Sequence, residues 1–187
     1  MPLNIPNLLT WARIILIPLV VGVYYMPLPI AEANLIATIA FVVAAVTDWL
    51  DGWLARKLGQ SSAFGAFLDP VADKLMVAAA LVVLVQMGRA DAVIAFIIIG
   101  REITISALRE WMASIGASKS VAVSFVGKLK TTAQMVAIPL LLYDAPFGPI
   151  NTRWLGDGLL WAAAVLTLWS MAYYLRKAMP EISSRSR

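Results

Sequence analysis

Long apolar stretches alternate with short polar breaks along this chain. Six stretches stand out, at about 7–26, 33–55, 66–88, 91–113, 121–143 and 153–176. Each is close to the roughly 20 residues a helix needs to cross the hydrocarbon core of a bilayer. The breaks carry the expected punctuation: Pro27-Leu28-Pro29, Arg89-Ala90-Asp91, and the segment 144–151 with its Pro and Gly residues. The pattern predicts an all-α integral membrane protein, a six-transmembrane-helix bundle forming one domain over 1–180. A basic, unstructured tail is expected at 181–187. No internal repeat is visible.

Composition strengthens this reading. The chain is 61% hydrophobic and 14% charged, against about 45–50% and about 25% in soluble domains. Cysteine and histidine are both absent, which excludes disulfides, thiolate chemistry and imidazole ligands. Proton transfer and metal binding must then rest on carboxylates. The net charge of +4 fits Lys and Arg beside anionic headgroups better than nucleic-acid binding. The opening run lacks the charged start and cleavage site of a signal peptide and is expected to stay as the first helix.

With six spans, both termini lie on one side. That side would carry Arg56, Lys57, Lys119, Arg176, Lys177, Arg185 and Arg187, the other Arg89 and Arg153. The positive-inside rule therefore places both termini in the cytoplasm. Trp49, Trp53 and Trp111 fall near that boundary as belt anchors, and Lys57 and Lys74 read as interfacial charges.

Two spans are poor membrane sequences. The second ends in a polar run from Thr47 to Lys57, and the fourth contains Arg101, Glu102, Arg109 and Glu110. Ionisable groups at membrane depth are costly and face a bundle interior or a wet cavity. Asp48, Asp51, Gly52 and Ala55 fall within about 100° of one helix face, and Gly65, Asp69 and Asp73 step by four along the next helix. A short loop with Gly59, Ser61 and Ser62 joins these helices, which should form an antiparallel pair. Both acidic pairs then lie about 12 Å inside the cytoplasmic ends. Four carboxylates cannot stay ionised together there without positive charge. Divalent cations supply it, and all-oxygen ligation suits Mg²⁺ or Mn²⁺. Two such ions about 4 Å apart could clamp the attacking and leaving oxygens of a phosphoryl transfer. Gly52 and Gly65 leave room for a diphosphate, and Arg56 offers a planar fork for its oxygens. A different class of function, a divalent-cation transporter, also uses acidic residues in a bundle. Here, however, no acidic residue continues outward from the four.

These residues spell DxxDGxxAR, from Asp48 to Arg56, then eight residues, then GxxxDxxxD, from Gly65 to Asp73. The pattern matches the signature of the CDP-alcohol phosphotransferase family without departure. The segments 4–13, 100–113 and 121–134 resemble the bacterial phosphatidylglycerophosphate synthase branch of that family. The signature alone does not separate branches with other acceptor alcohols. The resemblance implies a six-helix fold, often homodimeric, in the bacterial inner membrane, with the site open to the cytoplasm. It implies CDP-diacylglycerol as donor, sn-glycerol 3-phosphate as acceptor, and phosphatidylglycerol phosphate and CMP as products. It implies metal binding by Asp48, Asp51, Asp69 and Asp73, with Asp73 also the base. Gly52, Arg56 and Ser62 would contact the nucleotide end of the donor.

An acceptor bearing a phosphate dianion needs a basic pocket. Arg101 and Arg109, about 80° apart on one helix, are candidates together with Lys128 and Lys130. Each has an alternative use: a salt bridge for Arg101, Glu110 or the interface for Arg109, and snorkelling to headgroups for the two lysines. Asn7 and Thr10, three apart at the start of the first span, are candidates for the nucleotide site, with helix capping an equal alternative for Asn7. The expected chemistry is direct displacement of CMP by an alcohol whose proton passes to Asp73.

Overall fold

The computed structural model describes residues 5–58, 63–116 and 125–185, without the side chains of 5–9, 51–56, 58, 63, 64, 66, 125, 126 and 180–185. Its helices are α1 (Ile5–Gly22), α2 (Ile30–Leu58), α3 (Ala63–Gln86), α4 (Ala92–Ser114), α5 (Phe125–Tyr143) and α6 (Thr152–Arg185), with a single 3-10 turn at Val23–Tyr25. The described residues contain no strand, only one isolated bridge between Phe147 and Ile150. The fold is all-α, and each helix covers one of the apolar stretches. At 34 residues, α6 is about 50 Å long, more than the roughly 30 Å hydrocarbon core. It continues through 181–185, where the sequence suggested an unstructured tail.

Local chemistry sets the helix ends. Gly88 turns the chain with φ +65°, and Gly116 closes α4 with φ +77°, a region only glycine enters without strain. Asp91 caps α4, its carboxylate accepting from the amides of Val93 (2.8 Å) and Ile94 (3.3 Å).

Packing departs from the expected pairing in one respect. α1 lies along both α2 and α3, which touch each other far less. The first helix, not a direct α2–α3 seam, therefore joins the two acidic segments. α5 and α6 form the most extensive contact. There Gly156 lets the backbones close, since a Cβ would stand 2.8 Å from Leu141 Cγ and 3.2 Å from the Ala137 carbonyl oxygen.

The main core fills one end of the bundle, with Phe41, Leu81, Leu84, Ile98, Ile138, Leu141 and Leu160 all essentially inaccessible. A second, smaller cluster of Ile105, Met112, Tyr174 and Ala178 sits at the other end, beside the charged residues of α4. Large apolar side chains project outward around the bundle, among them Ile15, Phe96, Val165 and Trp169, as a lipid-facing surface requires and a soluble one avoids. Trp49 and Trp111 are also exposed. Ile30–Leu50 and Thr152–Met179 are long and apolar enough to cross a bilayer on composition alone. In α3, α4 and α5 the apolar run is broken by Asp69, Asp73 and Lys74, by Arg101 to Glu110, and by Lys128 and Lys130.

Arg89 lies in the turn between α3 and α4, yet its side chain folds inward. It is 7% exposed, and its Nε sits 3.0 Å from Asp144. Its Nη1 donates to Asn34 (2.9 Å) and to the Leu142 carbonyl (3.0 Å). It ties α2 to the end of α5 and so does not count among the loop charges used to orient the chain.

Candidate active site

The polar residues of α1 to α5 converge at the end opposite Arg89. On α1, Thr10 and Arg13 are each 1% exposed and lie one turn apart, on the face that meets α2 and α3. Thr10 Oγ1 donates to Asp69 Oδ1 at 2.5 Å. Arg13 Nη1 pairs with Asp48 Oδ1 at 2.6 Å. Asp73, one turn beyond Asp69, shares a narrow cleft with Asp48 and Arg13, floored by Phe41, Met76 and Met135. Three of the four signature carboxylates thus meet around α1. Asp51, Gly52 and Arg56 continue α2 by one to two turns, and Asn7 lies on α1, but their side chains lie outside the described residues. Ser62 lies outside them altogether.

Asp73 also lines a second, larger cavity of about 320 Å³. Its other walls include Lys74, Arg101, Glu102, Arg109 and Lys130. Lys130 is 2% exposed and bonds Glu102, which also pairs with Arg101 Nη1 at 3.4 Å. Arg101 Nη2 donates to Ser170 Oγ at 3.0 Å. Burying this many cations is tolerable only with anions or π-faces close by. Glu102 supplies one of these, and the Tyr174 ring the other.

The structure brings together Arg101, Arg109 and Lys130 of the expected basic pocket. It does not bring Lys128, which is exposed and not part of the cavity wall. Two residues along a helix turn about 200°, so Lys128 and Lys130 cannot share a face. Lys74, expected at the interface, is instead half-buried in the cavity wall. Thr10 engages Asp69 directly, which makes it a support of the carboxylate. Sequence reasoning missed Arg13, Glu102 and Tyr174 as parts of the site. Arg13 carried the same signal as Arg101, a charge inside an apolar span. Tyr174 carried none.

The donors suit a hard divalent cation in their chemistry: ionised oxygens and a hydroxyl, with no soft ligand. Among the described residues no three acidic side chains stand close enough together to hold one ion, and Asp51 is not among them. Arg13 provides the positive charge that Asp48 otherwise lacks.

A family model described as CDP-alcohol phosphatidyltransferase matches residues 3–169. The chain belongs to the CDP-alcohol phosphatidyltransferase family. Within that family, proteins of Salmonella choleraesuis (strain SC-B67), Shigella flexneri serotype 5b (strain 8401) and Escherichia coli (strain K12) are each 52% identical to it over 184 residues. Each match covers 97% of this chain and 98% of the relative. All three relatives are named CDP-diacylglycerol–glycerol-3-phosphate 3-phosphatidyltransferase. The matched span includes every carboxylate and every cavity-lining cation described above. With its apolar helices, the family assignment makes this a membrane protein.

Proposed function

We propose that this chain is a phospholipid-synthesising transferase that moves the phosphatidyl group of CDP-diacylglycerol onto sn-glycerol 3-phosphate, releasing CMP. The observation that carries the reading is the 320 Å³ cavity in which Asp73 stands beside Arg101, Arg109 and Lys130. A carboxylate next to a cationic pocket suits an acceptor bearing a hydroxyl at one end and a phosphate dianion at the other. The names of the relatives identify the same pair of substrates.

In this reading the acceptor phosphate lies among the basic side chains, and its C1 hydroxyl points to Asp73. Asp73 takes the hydroxyl proton as the oxygen attacks the lipid phosphorus. The P–O bond to CMP breaks, and CMP leaves as its phosphate anion. Positioning and charge complementarity supply the remaining acceleration. Asp48, Asp51, Asp69 and Asp73 would hold one or two Mg²⁺ or Mn²⁺ ions, whose contribution is neutralisation of the diphosphate and the leaving phosphate. Thr10 keeps Asp69 oriented, while Gly52, Arg56, Ser62 and Asn7 are assigned to the nucleotide end of the donor.

The same reading has all six helices crossing the bacterial inner membrane, with termini and site toward the cytoplasm, in a homodimer. The placement of Arg109 and Lys130 within two turns of the helix ends on the side of both termini supports that orientation. The solid apolar core at the other end argues against an ion path through the bundle.

The test is CMP release by purified protein from CDP-diacylglycerol with Mg²⁺ or Mn²⁺, against a panel of small alcohols. Turnover is expected with sn-glycerol 3-phosphate and not with serine or myo-inositol phosphate. Equal turnover with either of those two would move the chain to another branch of the family.

A further inference from the structure

We propose that Tyr174 is a positioning residue that sets the separation and direction of Arg101 and Arg109 toward the acceptor phosphate, a proposal that rests on the reading of the cavity above. Tyr174 is on α6, which supplies none of the four signature carboxylates. Its side chain is completely buried. The guanidinium carbon of Arg101 lies 5.7 Å from the ring centroid and that of Arg109 5.1 Å. Both are within the range at which a ring quadrupole attracts a cation.

The two arginines are eight residues apart on α4, about 12 Å along the axis and about 80° around it. Helix geometry alone would let their long side chains splay, and their like charges favour it. A shared ring draws both inward. Ile105 and Met112, on the same helix, cluster with Tyr174 and Ala178, so the ring itself has little freedom. One turn before Tyr174, Ser170 Oγ accepts from Arg101 Nη2 at 3.0 Å and donates to the Thr167 carbonyl at 3.0 Å. The helix that supplies the ring thus fixes a second point on Arg101.

The choice of an aromatic holder has a chemical consequence. A carboxylate at this position would pair with the guanidinium N–H groups and cancel the charge a phosphate dianion needs. A π-face attracts the cation through its plane and leaves the in-plane N–H fork available to oxygens. Tyr174 therefore sets geometry without competing for the ligand. Glu102 already neutralises part of the cationic charge through Lys130 and Arg101, and a second anion would leave the cavity poorly suited to an anionic acceptor.

The experiment compares Tyr174→Leu, Tyr174→Phe and Arg101→Gln in steady-state assays in detergent micelles, varying sn-glycerol 3-phosphate and CDP-diacylglycerol separately. Tyr174→Leu is expected to raise KM for sn-glycerol 3-phosphate about tenfold, the loss of two cation–ring contacts. KM for CDP-diacylglycerol should hardly move, while the unfolding temperature falls by the few degrees expected on truncating a buried ring. Tyr174→Phe, which keeps the ring, should restore KM to within about twofold of wild type. A Tyr174→Leu enzyme whose two KM values rise together, or whose kcat alone falls, would overturn the proposal, as would a Phe variant no better than Leu. Should Tyr174→Leu fail to fold, Tyr174→Met removes the ring with an unbranched chain, and the same outcomes apply. If Arg101→Gln leaves KM for sn-glycerol 3-phosphate unchanged, the assignment of the cavity itself fails. If Arg101→Gln raises it and Tyr174→Leu does not, only the role of Tyr174 falls.

Discussion

Arg13 of α1 and Asp48 of α2 meet at 2.6 Å, the arginine 1% exposed and the aspartate 40% exposed. A buried guanidinium thus neutralises the first carboxylate of the signature from a helix that contributes none of the four. Arg13→Ala leaves Asp48 uncompensated. With Asp48 partly solvated, the cost is about 1–2 kcal/mol, below that of breaking a fully buried pair. The unfolding temperature in detergent without divalent metal should fall accordingly. If the carboxylates bind Mg²⁺, adding it should stabilise Arg13→Ala more than wild type, because the ion replaces the missing charge. Thermal scans with and without Mg²⁺ measure both effects, and an equal shift in the two proteins would show that Arg13 and the ion do not share Asp48.

Among the signature carboxylates whose side chains are described, Asp73 alone borders both the Arg13 cleft and the basic cavity. Asp73→Asn keeps the shape and removes the proton acceptor. A loss of roughly 10²–10⁴-fold in kcat is expected, the usual contribution of a positioned base, with the fold intact. CMP release and circular dichroism on the same preparation test this. A variant with wild-type turnover would take the base role away from Asp73.

Glu102 occupies the basic cavity as an anion in residence, bonded to Lys130 and 3.4 Å from Arg101. It competes with any incoming phosphate for the same cations. Glu102→Gln removes that charge while retaining an oxygen acceptor. Inorganic phosphate should then inhibit competitively against sn-glycerol 3-phosphate with a Ki lower by about three- to tenfold, the equivalent of about 1 kcal/mol of relieved competition. A Ki unchanged or raised would mean that Glu102 organises the cations more than it screens them.

Much of this was legible in the sequence, and the exceptions have a common cause. Apolar run length located all six helices, because burying or lipid-facing surface needs a continuous apolar stretch. Spacings of three and four placed Asp48, Asp69 and Asp73 on inward faces, since a helix has a fixed angle per residue. What periodicity could not give is how one helix is rotated against another distant in sequence. Arg13 on Asp48, Thr10 on Asp69 and Tyr174 on two arginines are all contacts of that kind. Lys128 could have been set aside in advance, as it lies almost opposite Lys130 on α5. Lys74 reads as an ordinary interfacial lysine beside Asp73, and only the packing of α3 against α4 and α5 puts it in the cavity wall. Arg89 sits at a break between spans, where exposure is the default, and only tertiary structure reveals it as buried.

Gly156 tests the α5–α6 seam. A side chain there meets Leu141 Cγ at 2.8 Å and the Ala137 carbonyl oxygen at 3.2 Å. Gly156→Val must push the helices apart and should cost about 1–3 kcal/mol, the usual range for overpacking. Because α6 also carries Ser170 and Tyr174, KM for sn-glycerol 3-phosphate should rise together with the loss of thermal stability. Gly156→Ala should show the same effects in smaller measure. Unfolding temperatures and KM values for the two variants, ranked by side-chain volume, provide the check.

The buried ion pair at the far end separates stability from catalysis. Arg89 holds Asp144 at 3.0 Å and Asn34 at 2.9 Å, and Asp144 sits with φ +47°, a conformation non-glycine residues adopt only when their surroundings hold them there. Arg153 adds a longer contact to the same carboxylate at 3.8 Å and donates to the Gly88 carbonyl at 2.9 Å. Arg89→Ala leaves Asp144, which is 20% exposed, with only the longer, exposed Arg153 contact, and should cost about 2–4 kcal/mol, somewhat under the figure for a fully buried partner left alone. Removing the carboxylate as well, in Arg89→Ala with Asp144→Ala, should recover part of that loss, because no uncompensated charge remains. Both variants should keep wild-type KM values for the two substrates, since the pair lies at the end of the bundle away from the cavity. A double variant no more stable than Arg89→Ala alone would show that Asp144 has a stabilising role apart from Arg89, with the strained turn at the end of α5 the first place to look.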